Sequence, residues 1–426
     1  MLFYSTRNTN NKKTVSQAIL QGLAEDGGLF VPEYFPQIDW KSFNDSLSYP
    51  EFAAKILADY FEGDELASQL TAICQNAFNF ALPLEKLNDN TYVMELFHGP
   101  TLSFKDFGAR FLAECMTRLS KERKTIIIVA TSGDTGSAVA SAFHNKQNVN
   151  VIVMFPDGQI SKRQEKQITC WGDNILAVAV NGTFDDCQKI VKQSFSDSWW
   201  TEQAHLSSAN SINIARLLPQ LTYYAYTSWQ SYLCSGEKHN FIIPTGNVGN
   251  STAAYWAKAM GFPIGDIVLA TNANRVILDY INTSKFEPKA SVATIANAMD
   301  VGNPSNFERL SFLHNNNWEQ FKDNVKSFSV NDEEIRSIIK EVKSEFNYIM
   351  CPHTATGYFA RKQLDDKKWI IAATADPSKF ETIIEPIINE KLIVAPQLQE
   401  LLDKPSHLVK ANPEMKEIQD AFIKNK

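Results

Sequence analysis

Residues 125–145 read TIIIVATSGDTGSAVASAFHN, and this stretch decides the fold class. Six apolar residues rich in β-branched side chains read as a strand buried on both faces. The glycine-rich turn TSGDTGS follows, and then the small, apolar periodicity of a helix. Working outward, the same strand, loop and helix order recurs. VNVIVMFP (149–156) precedes the helix pattern SKRQEKQITCWG, and NILAVAV (174–180) leads through NGTFDD into CQKIVKQSF. HNFIIP (239–244) leads through TGNVGNS into TAAYWAKAMG, while DIVLAT (266–271) and KWIIAAT (368–374) supply further strands. Strands spaced by helices in this rhythm predict parallel sheets covered on both faces. Residues 1–90 differ: TVSQAILQGLAEDGG and YPEFAAKILADYFEG are amphipathic. The first is expected to stop at its glycine pair, the second to carry Pro50 early and Gly63 past its end.

Composition narrows the function. The chain has 426 residues, 44% of them hydrophobic and 21% charged, an ordinary globular balance that permits a large core. A formal charge of −7, with no basic run, argues against general nucleic-acid binding. MLFYSTRNTNNKK lacks the apolar core of a signal peptide, and the apolar runs are strand-length, too short for a bilayer. Cys74, Cys115, Cys170, Cys187, Cys234 and Cys351 have no CxxC spacing, and the seven histidines form no ligand pair. A cytoplasmic protein with reduced cysteines and no metal is expected.

Three loops carry chemistry. In ELFHGPTLSFKDFGARF (95–111), Lys105 stands between Phe104 and Phe107. Either it snorkels and pairs with Asp106 or Glu95, or it is an amine kept in a drier place, where a lowered pKa lets it attack a carbonyl. PTGNVGNS (244–251) lies between strand and helix, so its backbone N–H groups and the helix N-terminus can hold a phosphate without a basic side chain. Gly246 and Gly249 are expected to permit close approach and unusual dihedrals, Asn247 and Asn250 to tolerate left-handed turns. The loop is neither GxGxxG nor a P-loop. In TSGDTGS, Ser132, Thr135 and the backbone N–H groups suit a carboxylate, and Asp134 suits one only if its charge points away. One semi-buried lysine with two anion loops is what a phosphorylated aldehyde cofactor requires, and a hydroxyl at the strand end, Thr374, suits a neutral ring nitrogen.

ELFHGPTLSFKDFGARF, ATSGDTGSAVA, SSANSINIARLLPQ, PTGNVGNSTAA, NAMDVGNPSN and ATADPSKF together resemble threonine synthase, in the branch with a long N-terminal segment. The likeness runs in order from VSQAILQGLAEDGGLFVP to the last quarter of the chain. It implies a fold-type II pyridoxal-phosphate enzyme: two parallel-sheet α/β domains with the cofactor cleft between them, plus a mainly helical N-terminal segment at 1–90. Residues 91–104 with 215–426 are expected to form the large domain, and 105–214 the small one. The resemblance makes Lys105 the Schiff-base lysine, Gly246, Asn247, Val248, Gly249 and Asn250 the cofactor-phosphate loop, and Thr374 the ring-nitrogen partner. It turns Ser132, Gly133, Asp134 and Thr135 toward the amino-acid end of the substrate. Asn210, Asn213, Arg216 and Lys162 become the positions for the substrate phosphate. The wider fold family often has Asn at the position of Asp134.

The implied reaction converts O-phospho-L-homoserine and water to L-threonine and phosphate. A related phospho-lyase, giving keto acid and ammonia, and a non-catalytic sensor of phosphorylated metabolites stand as rivals. The expected partner is the small-molecule substrate, without nucleic acid or membrane, the chain acting as a monomer or weak dimer.

Overall fold

A computed structural model describes residues 1–120 and 124–425 of the chain. Two sheets form its frame. The larger has six strands in the order Lys326–Ser329, Ile264–Thr271, His239–Pro244, Trp369–Ala373, Thr91–Glu95 and Leu84–Asn88. All neighbours run parallel except the last pair, an antiparallel hairpin at the edge. The smaller sheet is wholly parallel, in the order Val409–Ala411, Ile175–Val180, Val149–Pro156, Thr125–Ala130 and His205–Ser207. Its three central strands are buried from end to end apart from Asn150, as runs such as TIIIVA and ILAVAV demand of a sheet covered on both faces.

The strands correct two expected boundaries. Leu84–Asn88 pairs with Thr91–Glu95, so a break at residue 90 would cut a hairpin. Val409–Ala411 pairs with Val178–Val180, so the end of the range 215–426 belongs to the smaller sheet. The helix Met415–Lys424 follows it there, burying Ile418 and Phe422 near Trp200. This strand has three residues, two of them exposed, and therefore shows no apolar run.

The N-terminal segment is short helices with one small antiparallel pair, Phe3–Ser5 with Phe30–Pro32. Its first helix, Val15–Gln21, stops at Gly22 (φ 73°) and not at the glycine pair, because a left-handed glycine ends a helix wherever it first occurs. The second, Tyr49–Leu57, has Pro50 in its first turn and a Ser48–Glu51 capping box, then tightens into a 3-10 turn. The segment packs on the 22-residue helix Ile214–Ser235: Phe52 stacks on Trp229 at 5.0 Å, and the Tyr49 and Thr222 hydroxyls meet at 2.6 Å.

Deleting residues 405–426 removes a strand and the helix that covers Trp200. Burial of Ile418 and Phe422 alone is worth about 1.5–3 kcal/mol each. Denaturant unfolding of the shortened chain is expected to show a loss of roughly 3–6 kcal/mol.

Candidate active site

The carboxyl ends of both sheets open on one cleft, where parallel α/β sheets place their ligands. Lys105, Ser132, Asp134, Thr135, Asn210, Arg216, Gly246, Asn247, Gly249, Asn250 and Thr374 all line it. Gly133 and Val248 shape the loops behind the wall, while Asn213 and Lys162 stand apart from it.

Lys105 begins the helix Lys105–Leu119. The turn before it is tight: Leu102 is left-handed (φ 57°), and a Cβ on Gly99 would lie 2.5 Å from Asp106 Oδ2. Phe104 N–H donates to Thr374 O at 2.9 Å, so the lysine is tied to the end of the strand Trp369–Ala373. Neither expected carboxylate reaches it. Asp106 accepts from Thr101 N (2.9 Å) and Oγ1 (2.6 Å), and Glu95 accepts from Tyr348 and pairs with His98. Among the described residues Nζ has no hydrogen bond, and it lies 5.8 Å from the Phe104 ring centroid. Burial pulls its pKa down to about 8; Asp134 opposes this, while Lys379 and Arg216 add to it.

The loop after His239–Pro244 differs from its expected form in one respect. Its left-handed residue is Val248 (φ 62°), and neither glycine has positive φ. The glycines serve close approach: a Cβ on Gly246 would sit 2.6 Å from Met299 Cα, and one on Gly249 3.2 Å from Asn306 Nδ2. Side chains brace the loop. Asn250 accepts from Thr245 Oγ1 (2.7 Å) and Ser251 N (2.9 Å) and donates to Pro244 O (2.9 Å). Asn247 donates to Ser211 Oγ at 2.6 Å and accepts from Ser305 N. The backbone N–H groups of Gly246, Asn247, Val248, Gly249 and Asn250 meet no protein acceptor among the described residues. Five adjacent donors at the head of the helix Gly249–Ala259 make an anion cradle.

The TSGDTGS loop is less open. Thr131 Oγ1, not singled out in the sequence, accepts from the Gly133 and Gly136 N–H groups at 3.0 and 2.9 Å. Gly133 has φ 132°, and a Cβ there would meet Gln164. Asp134 is buried and its charge is answered by Lys379 at 2.8 Å and Gln164 Nε2 at 2.9 Å. Although burial pushes its carboxyl up, Lys379 and Lys105 hold it well below the usual range. Lys379 lies within ATADPSKF, but a lysine in a polar turn gives no sign of complete burial.

His353, at the head of the helix Pro352–Arg361, also lines the cleft. Ala298 N–H donates to its Nε2 at 3.1 Å, so Nε2 is an acceptor and the proton sits on Nδ1, 3.8 Å from Cys351 Sγ. Burial lowers its pKa to about 4, so the ring is neutral near pH 7.

Arg216 is buried without a carboxylate partner. Nη1 donates to Ala209 O, and Nε has no acceptor. The missing side chain of Gly108 makes room for it, since a Cβ there would come within 2.8 Å of Nε. Asn210 Oδ1 is likewise buried and unpartnered. Asn213 instead caps the helix Ile214–Ser235, accepting from Ala215 N (3.0 Å) and donating to Ile19 O (2.9 Å) and Ser208 O (3.2 Å). Lys162 is 82% exposed and pairs with Glu165 at 3.3 Å, so it projects to solvent. The two variants should separate accordingly. Asn213→Ala is expected to lose about 1–2 kcal/mol in denaturant unfolding. Lys162→Ala should stay within about 0.5 kcal/mol and leave ligand binding unaltered in titration calorimetry.

These features fit a phosphorylated aldehyde: a free amine, a backbone anion cradle, a second buried cation, and Thr374, whose hydroxyl has no partner among the described residues. Comparison with known proteins agrees. Residues 76–373 match the pyridoxal-phosphate dependent enzyme family, and residues 2–78 match the family described as threonine synthase N terminus. Threonine synthase of Haemophilus influenzae is 41% identical over 97% of each chain. The crystal structure of threonine synthase from Escherichia coli superposes with a TM-score of 0.93 at 35% identity, covering all of both chains. That of PLP-bound threonine synthase from Brucella melitensis gives 0.92 at 30% identity, covering 100% of this chain and 99% of the other. With residues 2–373 covered by the two family models and a relative 41% identical over 97% of the chain, the chain belongs to the threonine synthase family of pyridoxal-phosphate enzymes.

Proposed function

We propose that this chain converts O-phospho-L-homoserine and water to L-threonine and phosphate. The observation that carries this reading is the pairing of two separate anion sites with one free amine in a single cleft. The five N–H donors of residues 246–250 suit one phosphate, and the buried Arg216 guanidinium suits another. A phosphorylated cofactor acting on a phosphorylated substrate needs both.

Bound pyridoxal phosphate supplies a conjugated ring that accepts the electrons left when a proton leaves the substrate. The chain does the rest. Gly246 to Asn250 would hold the cofactor phosphate through backbone donors, and Thr374 Oγ1 would donate to an uncharged ring nitrogen. Lys105 Nζ would carry the cofactor and, as a free amine, would take the α-proton; a pKa of about 8 leaves a useful fraction of free base near neutral pH. Arg216 Nε and Asn210 hold the substrate phosphate until it leaves. Ser132 and Thr135 face the substrate carboxylate, and Asp134 places a fixed negative charge beside the amine. The domains follow the two sheets, and their closure excludes water from the reacting carbons until water is to be added. No helix among the described residues is long and apolar enough to cross a membrane. We read the chain as a cytoplasmic enzyme, monomeric or weakly dimeric.

The activity is tested by analysing products after incubation with O-phosphohomoserine. Threonine and phosphate are expected; 2-oxobutanoate and ammonia would assign the chain to the eliminating relatives. Borohydride reduction followed by peptide mapping should place the cofactor on Lys105, and Lys105→Ala should abolish turnover. An adduct on another lysine would overturn the assignment.

The cradle gives a sharper comparison. Gly246→Ala drives a Cβ into the Met299 backbone, whereas Gly249→Ala meets only a side-chain amide. Cofactor affinity, measured by fluorescence titration, is expected to fall about tenfold further for Gly246→Ala, which corresponds to about 1.4 kcal/mol.

A further inference from the structure

The mechanism above leaves the buried cation of Lys379 unused. Lys379 is completely inaccessible, in a turn after the strand Trp369–Ala373, yet it touches neither cradle nor Arg216. Its Nζ reaches two groups, each at 2.8 Å. One is Asp134 Oδ1, on the helix that follows Thr125–Ala130 of the smaller sheet. The other is Thr101 O, in the turn that delivers Lys105. Thr101 in turn fixes Asp106 through its N–H and hydroxyl.

The surroundings lock this lysine from both sides. Ser161 Oγ donates to Lys379 O at 3.1 Å, Arg163 donates to Ser378 O, and Gln167 Nε2 donates to Thr101 O at 3.1 Å. All three donors belong to the helix Lys162–Thr169 or its cap, on the smaller sheet. Asp134 Oδ1 takes both Lys379 and Gln164, and Oδ2 has no partner among the described residues.

We propose that Lys379 is a positioning residue, which latches the two sheets together behind the cleft and holds Asp134 as a fixed anion beside Lys105. The charges around this group are few. Lys105 faces Asp134, Lys379, Arg216 and the neutral His353; Asp134 faces Lys379, Lys105, His353 and Cys351; Lys379 also faces Asp106. Asp134 favours a proton on Lys105, and Lys379 opposes it. Without Lys379 the carboxylate has Lys105 as its principal remaining cation, so the amine holds its proton to higher pH. Less free base then remains near neutrality.

The inference rests on Lys105 being the reactive amine, so the test reads that amine directly. In the full-length chain freed of cofactor, competitive acetylation from pH 6 to 10 with peptide mass spectrometry gives the Lys105 midpoint, expected near 8. Lys379→Met should raise it by at least one unit, cutting labelling at pH 8 about fivefold. Asp134→Asn should lower it. Hydrogen exchange over residues 161–169 and 377–380 should quicken at least tenfold in Lys379→Met. A wild-type midpoint or wild-type exchange in a folded Lys379→Met chain overturns the proposal. Where that variant does not fold, Asp134→Asn/Lys379→Met removes both members of the buried ion pair and takes its place. A lowered midpoint with quickened exchange then supports the latch, and wild-type exchange overturns it. A cofactor adduct mapped to another lysine removes the role of Lys105 while leaving the exchange result to judge the latch.

Discussion

Five neighbouring backbone donors with no acceptor among the described residues are an expensive thing for a protein to keep in place. Each would lower its free energy by finding an oxygen, and the chain must deny all five while keeping them aligned. Val248 shows how this is done. A β-branched residue in the left-handed region costs about 1–3 kcal/mol and persists only where its surroundings over-determine it. Here the Ser251 and Thr252 hydroxyls donate to Val248 O, while Asn250 and Asn247 pin the flanks. The strain and the braces form one device. Asn250, which looks from its place in the loop like a ligand, contributes its side chain to the brace and its N–H to the cradle.

The sequence made the parallel sheets, the lysine at the cleft and the loop of free amides legible because each depends on local pattern. Long apolar runs such as TIIIVA must be buried on both faces, and a glycine loop between strand and helix must present its amides. Short edge strands were not legible. Val409–Ala411 and His205–Ser207 owe their conformation to the neighbouring strand, and three residues carry no period. Within the site, the same limit separates Arg216 from Asn213. Both lie in NSINIAR, yet one opens to the cleft and the other caps a helix, a difference set by which turn of the helix faces the sheets. Lys379 and His353 were missed for a related reason: what makes each unusual is the company it keeps from a distant part of the chain.

The N-terminal segment bears on the site through packing rather than chemistry. Arg309, fully buried, donates to Phe30 O at 3.0 Å from this segment and to Ile212 O at 2.7 Å beside the cleft. Its other nitrogen reaches Ser211 O and Asn306 Oδ1. A guanidinium with four acceptors and no carboxylate replaces its lost hydration through geometry alone. The strand Phe30–Pro32 is thereby coupled to Ser211, which in turn receives Asn247 of the cradle.

The path of the chain between its sheets has a mechanical consequence. The backbone passes from the larger sheet to the smaller between Glu95 and Thr125, returns between Ser207 and His239, and crosses again between Ala373 and Val409. Lys105 rides on the first passage, Arg216 on the second, and Thr374 and Lys379 on the third. These residues therefore sit on the segments that join the two sheets. The relative placement of the amine, the guanidinium and the hydroxyl is therefore set by how the two sheets are joined, and not by either sheet alone.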